Sequence, residues 1–133
     1  MSLLDKLIKV DKMALPMEEK KFRSERLKKW LGTDADVEIT LRQIPARRLN
    51  DLIGMAIDKK GNRDMSKNYD LNLMICVEGI ADPPMKDQTL MSHFGASTPK
   101  ELCEKLFDTE ANRIAQEIST LSQIAEDEDD VKN

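Results

Sequence analysis

The sequence predicts a mostly α protein, a compact helical domain, on three observations. Hydrophobic residues make up 40% of the chain but aromatic residues only 4%, so Leu, Ile, Val, Met and Ala must build the core, and Leu, Met and Ala favour helices. The densest apolar run, residues 71–80, is apolar on nearly all sides, as expected of a helix that the rest of the chain covers. Residues 98–101, TPKE, form a capping box with Pro at the first helical position.

Length and charge indicate which classes of protein the chain can belong to. At 133 residues the chain fits one domain with a substantial core. Its net charge of -4 divides into +4 over residues 1–31, -2 over 32–99 and -6 over 100–133. Because phosphate binding draws on a net positive field, nucleic acid is not expected as the main partner. No segment reaches the roughly 20 apolar residues that span a bilayer, and the first residues lack the apolar stretch of a secretory signal.

The first third of the chain mixes helical and strand patterns. Residues 2–15 place apolar side chains at helical spacing behind Ser2 as a cap, but so short a helix needs a partner surface to persist. Residues 22–27 fit either a helix or a strand, and residues 37–41, VEITL, alternate as a half-buried strand does. A small N-terminal β-hairpin formed by these two segments is therefore left open.

The middle of the chain predicts two helices separated by a loop. An apolar stripe predicts a helix over residues 45–57, and it consists of Leu49, Leu52, Ile53, Ala56 and Ile57. Residues 59–68 lack periodicity and predict an exposed loop. Residues 71–80 fit both a helical and a strand period, but the length of the run favours a helix, which must stop before Pro83-Pro84.

The last third carries the clearest start and stop signals. Asp87 is predicted to cap a short helix that Gly95 closes. The capping box then starts the next helix, and apolar spacing predicts a further helix over residues 110–124. Residues 126–130, EDEDD, are five consecutive acids that repel one another and predict a disordered segment.

No catalytic, cofactor-binding or metal-ligating residue is predicted, and no residue can be assigned to partner binding. His93 and Cys103 can be paired as base and nucleophile, but nothing in their spacing requires it, and a helix-end histidine is the simpler interpretation. Cys76 and Cys103 match no zinc spacing and are predicted to be buried, reduced thiols. Neither GxxxxGK[ST] nor GxGxxG occurs.

Two charged groups are predicted to be solvated rather than functional. Asp34, Asp36 and Glu38 lack the loop length and glycine of a calcium-binding EF-hand, and turn solvation explains them. Arg47 and Arg48 are predicted to lie on a solvated helix face rather than to grip an acidic partner.

The eight methionines are more informative about function than these charged groups, because flexible thioethers suit surfaces that repack against partners. Met55 and Met74 are predicted to lie in the core. The others, apart from the first residue, are predicted near element ends: Met13, Met17, Met65, Met85 and Met91.

A set of residues in the second half of the chain matches a known pattern: Pro84, Asp87, Leu90, Phe94-Gly95, Thr98-Pro99, Glu101-Leu102, Lys105-Leu106 and Glu110. With these residues the sequence resembles the XkdN-like tail assembly chaperones of PBSX-type prophages. Arg26-Leu27, the segment VEITLRQIP and residues 71–80 are also similar to the family, so the resemblance covers residues 20–122.

The resemblance implies a non-enzymatic assembly chaperone without cofactors. Its implied partners are the tape measure protein, whose apolar helical segments it would keep soluble, and the major tail tube protein. It implies action in the bacterial host cytoplasm, no membrane partner and absence from the mature virion, and self-association is left open. On this basis we expect an N-terminal helical arm over residues 1–19, a single tail-chaperone-like domain over 20–124 and a disordered acidic tail over 125–133.

A hypothesis from another class competes with this one. The basic region 20–29 could belong to a small DNA-associated regulatory protein, in which Arg23, Arg26, Lys28 and Lys29 would contact phosphates. An enzyme built on His93 and Cys103 ranks third.

Overall fold

The structure is a computed structural model that describes residues 2–10 and 17–122. The described residues form seven helices: α1 (Leu3–Ile8), α2 (Glu25–Leu31), α3 (Ala46–Gly54), α4 (Asn68–Gly79), α5 (Gln88–Phe94), α6 (Pro99–Phe107) and α7 (Glu110–Ser122). They also form three strands: β1 (Glu19–Arg23), β2 (Glu38–Arg42) and β3 (Ile80–Asp82). The predicted mostly α class is therefore confirmed.

The three strands form one antiparallel sheet with β2 at its centre. β1 and β2 pair over their whole length, and the buried side chains of Phe22 and Ile39 lie opposite each other. The pairing that the sequence left open between the two N-terminal segments is thus present, although only Phe22 and Arg23 of residues 22–27 take part in it. However, α2 lies between them in the chain, and β3 from the middle of the chain pairs with the other edge of β2. The sheet is therefore not the small N-terminal hairpin that the sequence left open.

Residues 22–27 fitted two periods because they contain both a strand end and a helix start. β1 ends at Arg23 and α2 begins at Glu25. Between them, the Ser24 hydroxyl oxygen accepts a hydrogen bond from the backbone N–H of Leu27 at 3.1 Å. This bond satisfies one of the free donors in the first turn of a helix, so a single capping residue converts the strand into a helix.

α4 is the central helix of the core, as predicted for residues 71–80. It packs against α7, α6 and α3. Its buried residues are spread around the helix: Leu71, Leu73, Ile75, Cys76, Val77 and Gly79. Burial on several sides explains why the run is apolar nearly all round.

The predicted caps of the later helices are confirmed. The Asp87 carboxylate accepts from the backbone N–H of Leu90 at 2.8 Å, and Gly95 closes α5 in the left-handed conformation with φ 68°. At the start of α6, the Thr98 hydroxyl accepts from the backbone N–H of Glu101 at 3.1 Å. The Glu101 carboxylate reaches back to the backbone N–H of Ser97 at 3.2 Å, one residue before the cap.

Two predicted boundaries around residue 57 are wrong. α3 ends at Gly54, and Ile57 instead pairs with Arg63 in an isolated β-bridge. The cause lies in the Asp58 carboxylate, which accepts from the backbone N–H groups of Lys60 and Asn62, both at 2.9 Å. This side chain offers the backbone a turn in place of further helix. The predicted loop at 59–68 also contains a 3₁₀ turn at Met65–Lys67, and α4 begins at its last residue.

α1 stands apart from the core. Ser2 caps it as predicted, accepting from the backbone N–H of Asp5 at 3.2 Å. None of its residues is buried. The rest of the predicted N-terminal helix falls partly on residues 11–16, and Ile124 and the predicted tail over 125–133 also lie outside the described residues. No helix in the described part of the chain is long and apolar enough to cross a membrane.

Candidate functional site

Two grooves flank α4 and share Leu71. The first, the α3–α4 groove, has a volume of about 340 Å³. Its apolar lining is Leu52, Met55, Ala56, Leu71 and Met74. The second, the α3–α7 groove, has a volume of about 780 Å³. Its apolar lining is Leu49, Ile53, Met65, Leu71, Ile75 and Ala115.

Polar side chains line the edges of both grooves and contact one another. Beside the α3–α4 groove, the Lys100 ammonium group lies 3.0 Å from the Asp70 carboxylate. Along the α3–α7 groove, the Asn72 amide donates to the Asn112 side-chain oxygen at 2.8 Å. A mainly apolar lining with polar side chains beside it, as in the α3–α4 groove, is the arrangement that accepts the apolar face of an amphipathic helix. The lining of the α3–α7 groove contains more polar than apolar residues.

The segment between α3 and α4 presents exposed apolar side chains, of which Met55 and Met65 line these grooves. Met55 is 54% exposed, Ile57 is 40% exposed and Met65 is 73% exposed. The Asp64 carboxylate holds the segment by accepting from the Ser66 hydroxyl at 2.6 Å and from the Ser66 backbone N–H at 3.0 Å. These two hydrogen bonds lower the pKa of Asp64. The exposed apolar side chains are thus carried by an ordered segment.

The methionine predictions are partly wrong. Met55 was predicted to lie in the core, but α3 ends before it and its side chain reaches the surface. Met74 is half-buried and packs against the core. Met85, in the turn after β3, and Met91, in the middle of α5 rather than near an element end, are buried and fill the core. Met13 lies outside the described residues.

A third groove, called the Trp30 groove, lies between α2 and the start of α7 and has a volume of about 510 Å³. Its lining is Arg26, Lys29, Trp30, Phe107, Thr109, Glu110 and Arg113. The Trp30 ring is 48% exposed, stacks on Phe94 with ring centroids 6.2 Å apart, and lies 4.8 Å below the Arg26 guanidinium. This groove is both aromatic and basic, which the sequence reasoning missed because α2 and α7 are far apart in the chain.

Most cationic side chains of the basic region 20–29 form ion pairs or hydrogen bonds with other residues of the same chain. Lys20 pairs with Glu117 at 2.6 Å. Arg23 and Lys28 both pair with Asp36, at 3.6 and 3.4 Å. The remaining arginine, at position 26, donates to the backbone carbonyls of residues 105 and 106 at the end of α6. The ion pairs of Lys20, Arg23 and Lys28 reduce what the region can offer to phosphates, which weighs against the DNA-associated hypothesis.

Glu110 has a role that the sequence did not reveal. Its carboxylate accepts from the Ser24 hydroxyl at 2.5 Å and from the backbone N–H groups of Glu25 and Arg26 at 3.1 and 3.4 Å. It therefore caps α2 from the first residue of α7. Sequence signals for caps are local, and these partners are 84 to 86 residues away, so the cap could not be predicted.

The residues considered for catalysis are not arranged for it. Cys103 is fully buried and His93 is exposed, with its ring edge on Phe94 at a centroid distance of 4.9 Å. Burial raises the pKa of the Cys103 thiol to about 12, which is the opposite of nucleophile activation. Burial also raises the pKa of Cys76, with a further contribution from Cys103. Both cysteines are free and buried, as predicted.

The charged residues considered for binding take part in contacts within the chain. Asp36 holds the two cations of the basic region, and in the described residues no group of His, Cys, Asp or Glu could hold a metal ion. Arg48 does not lie on a simple solvated face, because it pairs with the largely buried Glu78 at 2.8 Å. Arg47 is exposed, as predicted.

Comparisons with known proteins give one family and one similar structure. The family model of phage XkdN-like tail assembly chaperone proteins matches residues 4–133. Among curated proteins, no relative matches. The crystal structure of the protein yqbn is similar with a TM-score of 0.60 and 15% sequence identity, covering 82% of this chain and 87% of that chain; at this identity the similarity concerns the fold alone. Because the family model covers nearly the whole sequence, the chain belongs to the phage XkdN-like tail assembly chaperone family.

Proposed function

We propose that this protein is a non-enzymatic chaperone of phage tail assembly that binds the tape measure protein, keeps it soluble and helps to recruit the major tail tube protein. The observation that carries the proposal is the family match over residues 4–133. The proposed place of action is the bacterial host cytoplasm, where tails assemble. A chaperone that is displaced when its client assembles would be absent from the mature virion.

The two grooves beside α4 support the binding part of the proposal. A tape measure protein with apolar helical segments must have them covered until it assembles, because exposed apolar patches promote aggregation. Met55 and Met65 stand exposed at the edges of the α3–α4 and α3–α7 grooves. Methionine side chains are flexible and polarisable, so one groove can repack against successive client segments of different shape.

Co-expression with the tape measure protein of the same phage or prophage tests the proposal. The wild-type chain should raise the soluble fraction of the tape measure protein and elute with it in one complex. The M55K/M65K variant should lose both effects, because a charge on each groove edge cannot be buried against an apolar helix. L31K is the matched control, since Leu31 is 68% exposed at the end of α2 and lines neither groove.

The outcomes separate the function from the surface. If the wild-type chain leaves the tape measure protein insoluble and no complex elutes, the proposed function is wrong. If M55K/M65K binds as tightly as the wild type, the function stands and the grooves are the wrong surface. Addition of purified tail tube protein to the complex, and mass spectrometry of purified virions, test the recruitment and displacement steps.

A further inference from the structure

The Trp30 groove holds three cations that no carboxylate of the described residues pairs with. Lys29 is exposed and makes no ion pair there. Arg113 is exposed and lies with its guanidinium 5.6 Å from the ring of Phe22. Arg26 is hydrogen-bonded only through backbone carbonyls and lies over Trp30. The groove therefore has an excess of positive charge beside an exposed indole.

Glu110 is the only acidic residue in the groove lining, and its carboxylate does not pair with the three cations. The Glu110 carboxylate is turned to the N-terminus of α2, where it accepts three hydrogen bonds from residues 24–26. Three cations remain against one carboxylate that is already engaged. Such a groove favours an acidic segment, for which carboxylates would supply the missing partners.

The chain itself carries an acidic segment of suitable length and position. Residues 126–130 are five consecutive acids, EDEDD, beyond the end of α7 at Ser122. Arg113 lies nine residues before Ser122 in that helix, which corresponds to about 14 Å along its axis. An extended chain spans up to about 3.5 Å per residue, so positions four to eight residues beyond Ser122 reach about 14 to 28 Å. The chain beyond Ser122 is therefore long enough for the acidic residues to reach Arg113.

The surface of α7 between Ser122 and Arg113 would allow the acidic segment to lie along it. The side of α7 between Ser122 and Arg113 is lined by the exposed Gln116 and by Glu117. Glu117 would repel an acidic segment, but it pairs with Lys20 at 2.6 Å, which offsets its charge. Because the segment is tethered to the same helix, its effective concentration at the groove is high, of millimolar order for a short linker.

We propose that the acidic residues 126–130 dock in the Trp30 groove of the same chain, with carboxylates on Lys29 and Arg113 and with the segment covering Trp30. This contact would replace the disorder expected from the sequence of the segment. The proposal does not depend on binding of a tape measure protein.

Trp30 provides the measurement, because it is the only tryptophan of the chain. Quenching of its fluorescence by acrylamide, a neutral quencher, reports how far the indole is covered. The full-length variant E126Q/D127N/E128Q/D129N/D130N keeps the length of the segment and removes its charge. We expect its quenching constant at about 10 mM salt to be about twice that of the wild type, and the two constants to converge at about 0.5 M salt, where the Debye length falls to a few ångströms.

Two further full-length variants locate the contact. At low salt, the quenching constant of K29Q/R113Q should equal that of the variant with the neutralised segment, because the groove has lost the cations that hold the acidic residues. K59Q/K60Q removes the same charge from exposed lysines outside the groove and should quench like the wild type.

Three results would overturn the proposal. Equal quenching of the wild type and the neutralised segment at low salt would show that the acids do not cover Trp30. Protection that survives in K29Q/R113Q would show that these cations do not hold them. Protection that increases with protein concentration between roughly 2 and 100 μM would show that the segment binds a second copy rather than its own chain.

Discussion

Gly79 is the residue that allows α4 and α7 to approach closely. A Cβ at this position would lie 2.5 to 2.9 Å from three atoms of the Ile118 side chain, which is itself fully buried. We expect Gly79→Ala to lower the free energy of unfolding by about 1–2 kcal/mol, because overpacking outweighs the gain in helix propensity. Urea unfolding at pH 7 measures this change.

Gly54 is the matched control for this substitution. It also lies in a helix, at the end of α3, but a Cβ there meets no atom within 4 Å. Gly54→Ala should leave the stability unchanged or raise it by up to about 1 kcal/mol. Equal effects of the two substitutions would show that Ile118 moves aside and that the α4–α7 contact does not require glycine.

The two cysteines should be inert in the folded protein. Burial raises the pKa of Cys103 to about 12 and that of Cys76 well above its ordinary value, so little thiolate forms at pH 8. We expect a thiol reagent such as DTNB to react with the native protein at least about 100-fold more slowly than with the urea-unfolded chain. A fast reaction in the absence of urea would instead reveal an accessible thiolate and would reopen the pairing with His93.

At the scale of elements, α2 depends on a cap that α7 supplies. Glu110 binds Ser24 and the first backbone N–H groups of α2, and hydrogen bonds to a charged acceptor are stronger than neutral ones. We expect Glu110→Gln to cost about 1–3 kcal/mol of unfolding free energy. Glu117→Gln, which breaks an exposed pair on the same helix, should cost less than about 1 kcal/mol. If both variants lose the same unfolding free energy, the cap that Glu110 provides contributes no more to stability than an exposed ion pair does.

Glu78 connects α3 to the segment after β3 and makes this connection depend on pH. Partial burial acts to raise the pKa of Glu78, but hydrogen bonds and positive charge from Arg48 and Lys86 outweigh it, so the pKa lies below its ordinary value of 4.5. A carboxyl with a depressed pKa stabilises the fold fully above its unfolded pKa and loses this effect as pH falls through the folded value. The stability difference between wild type and Glu78→Gln should therefore be constant at neutral pH and shrink below about pH 4.5. Urea titrations from pH 7 to pH 3 would contradict this if the difference did not change.

The elements that the sequence predicted are those whose signals are local. The caps at Asp87 and Thr98 and the stop at Gly95 act within a few residues of the chain, so each helix that they bound was found. β3 was missed because it has three residues and exists only through its pairing with β2, about 40 positions earlier in the chain. The exposure of Met55 was missed for a related reason, since it depends on where α3 ends.

At the scale of the whole molecule, the candidate surfaces could not be predicted even where their residues were noticed. The Trp30 groove joins α2 to α7, and the α3–α7 groove also joins elements that are far apart in the sequence. Composition indicated methionines suited to a variable partner, but only the fold determines which of them remain exposed. The family pattern, by contrast, was visible because it follows the local signals of α5 and α6.

The arm that carries α1 should be dispensable for folding but not for binding. None of its described residues is buried, and Leu3, Leu4, Leu7 and Ile8 are each at least 60% exposed. A chain that starts at Met17 should therefore keep its unfolding free energy within about 0.5 kcal/mol of the full chain, because the described residues that it loses bury no apolar side chain. A helix of six residues with an apolar face is not stable alone in water, so this arm should gain its partner in the complex. In co-expression with the tape measure protein, the shortened chain should recover less complex than the full chain.

A loss of stability above about 1 kcal/mol would show that the arm packs on its own domain, and equal recovery of complex would show that it does not contact the client.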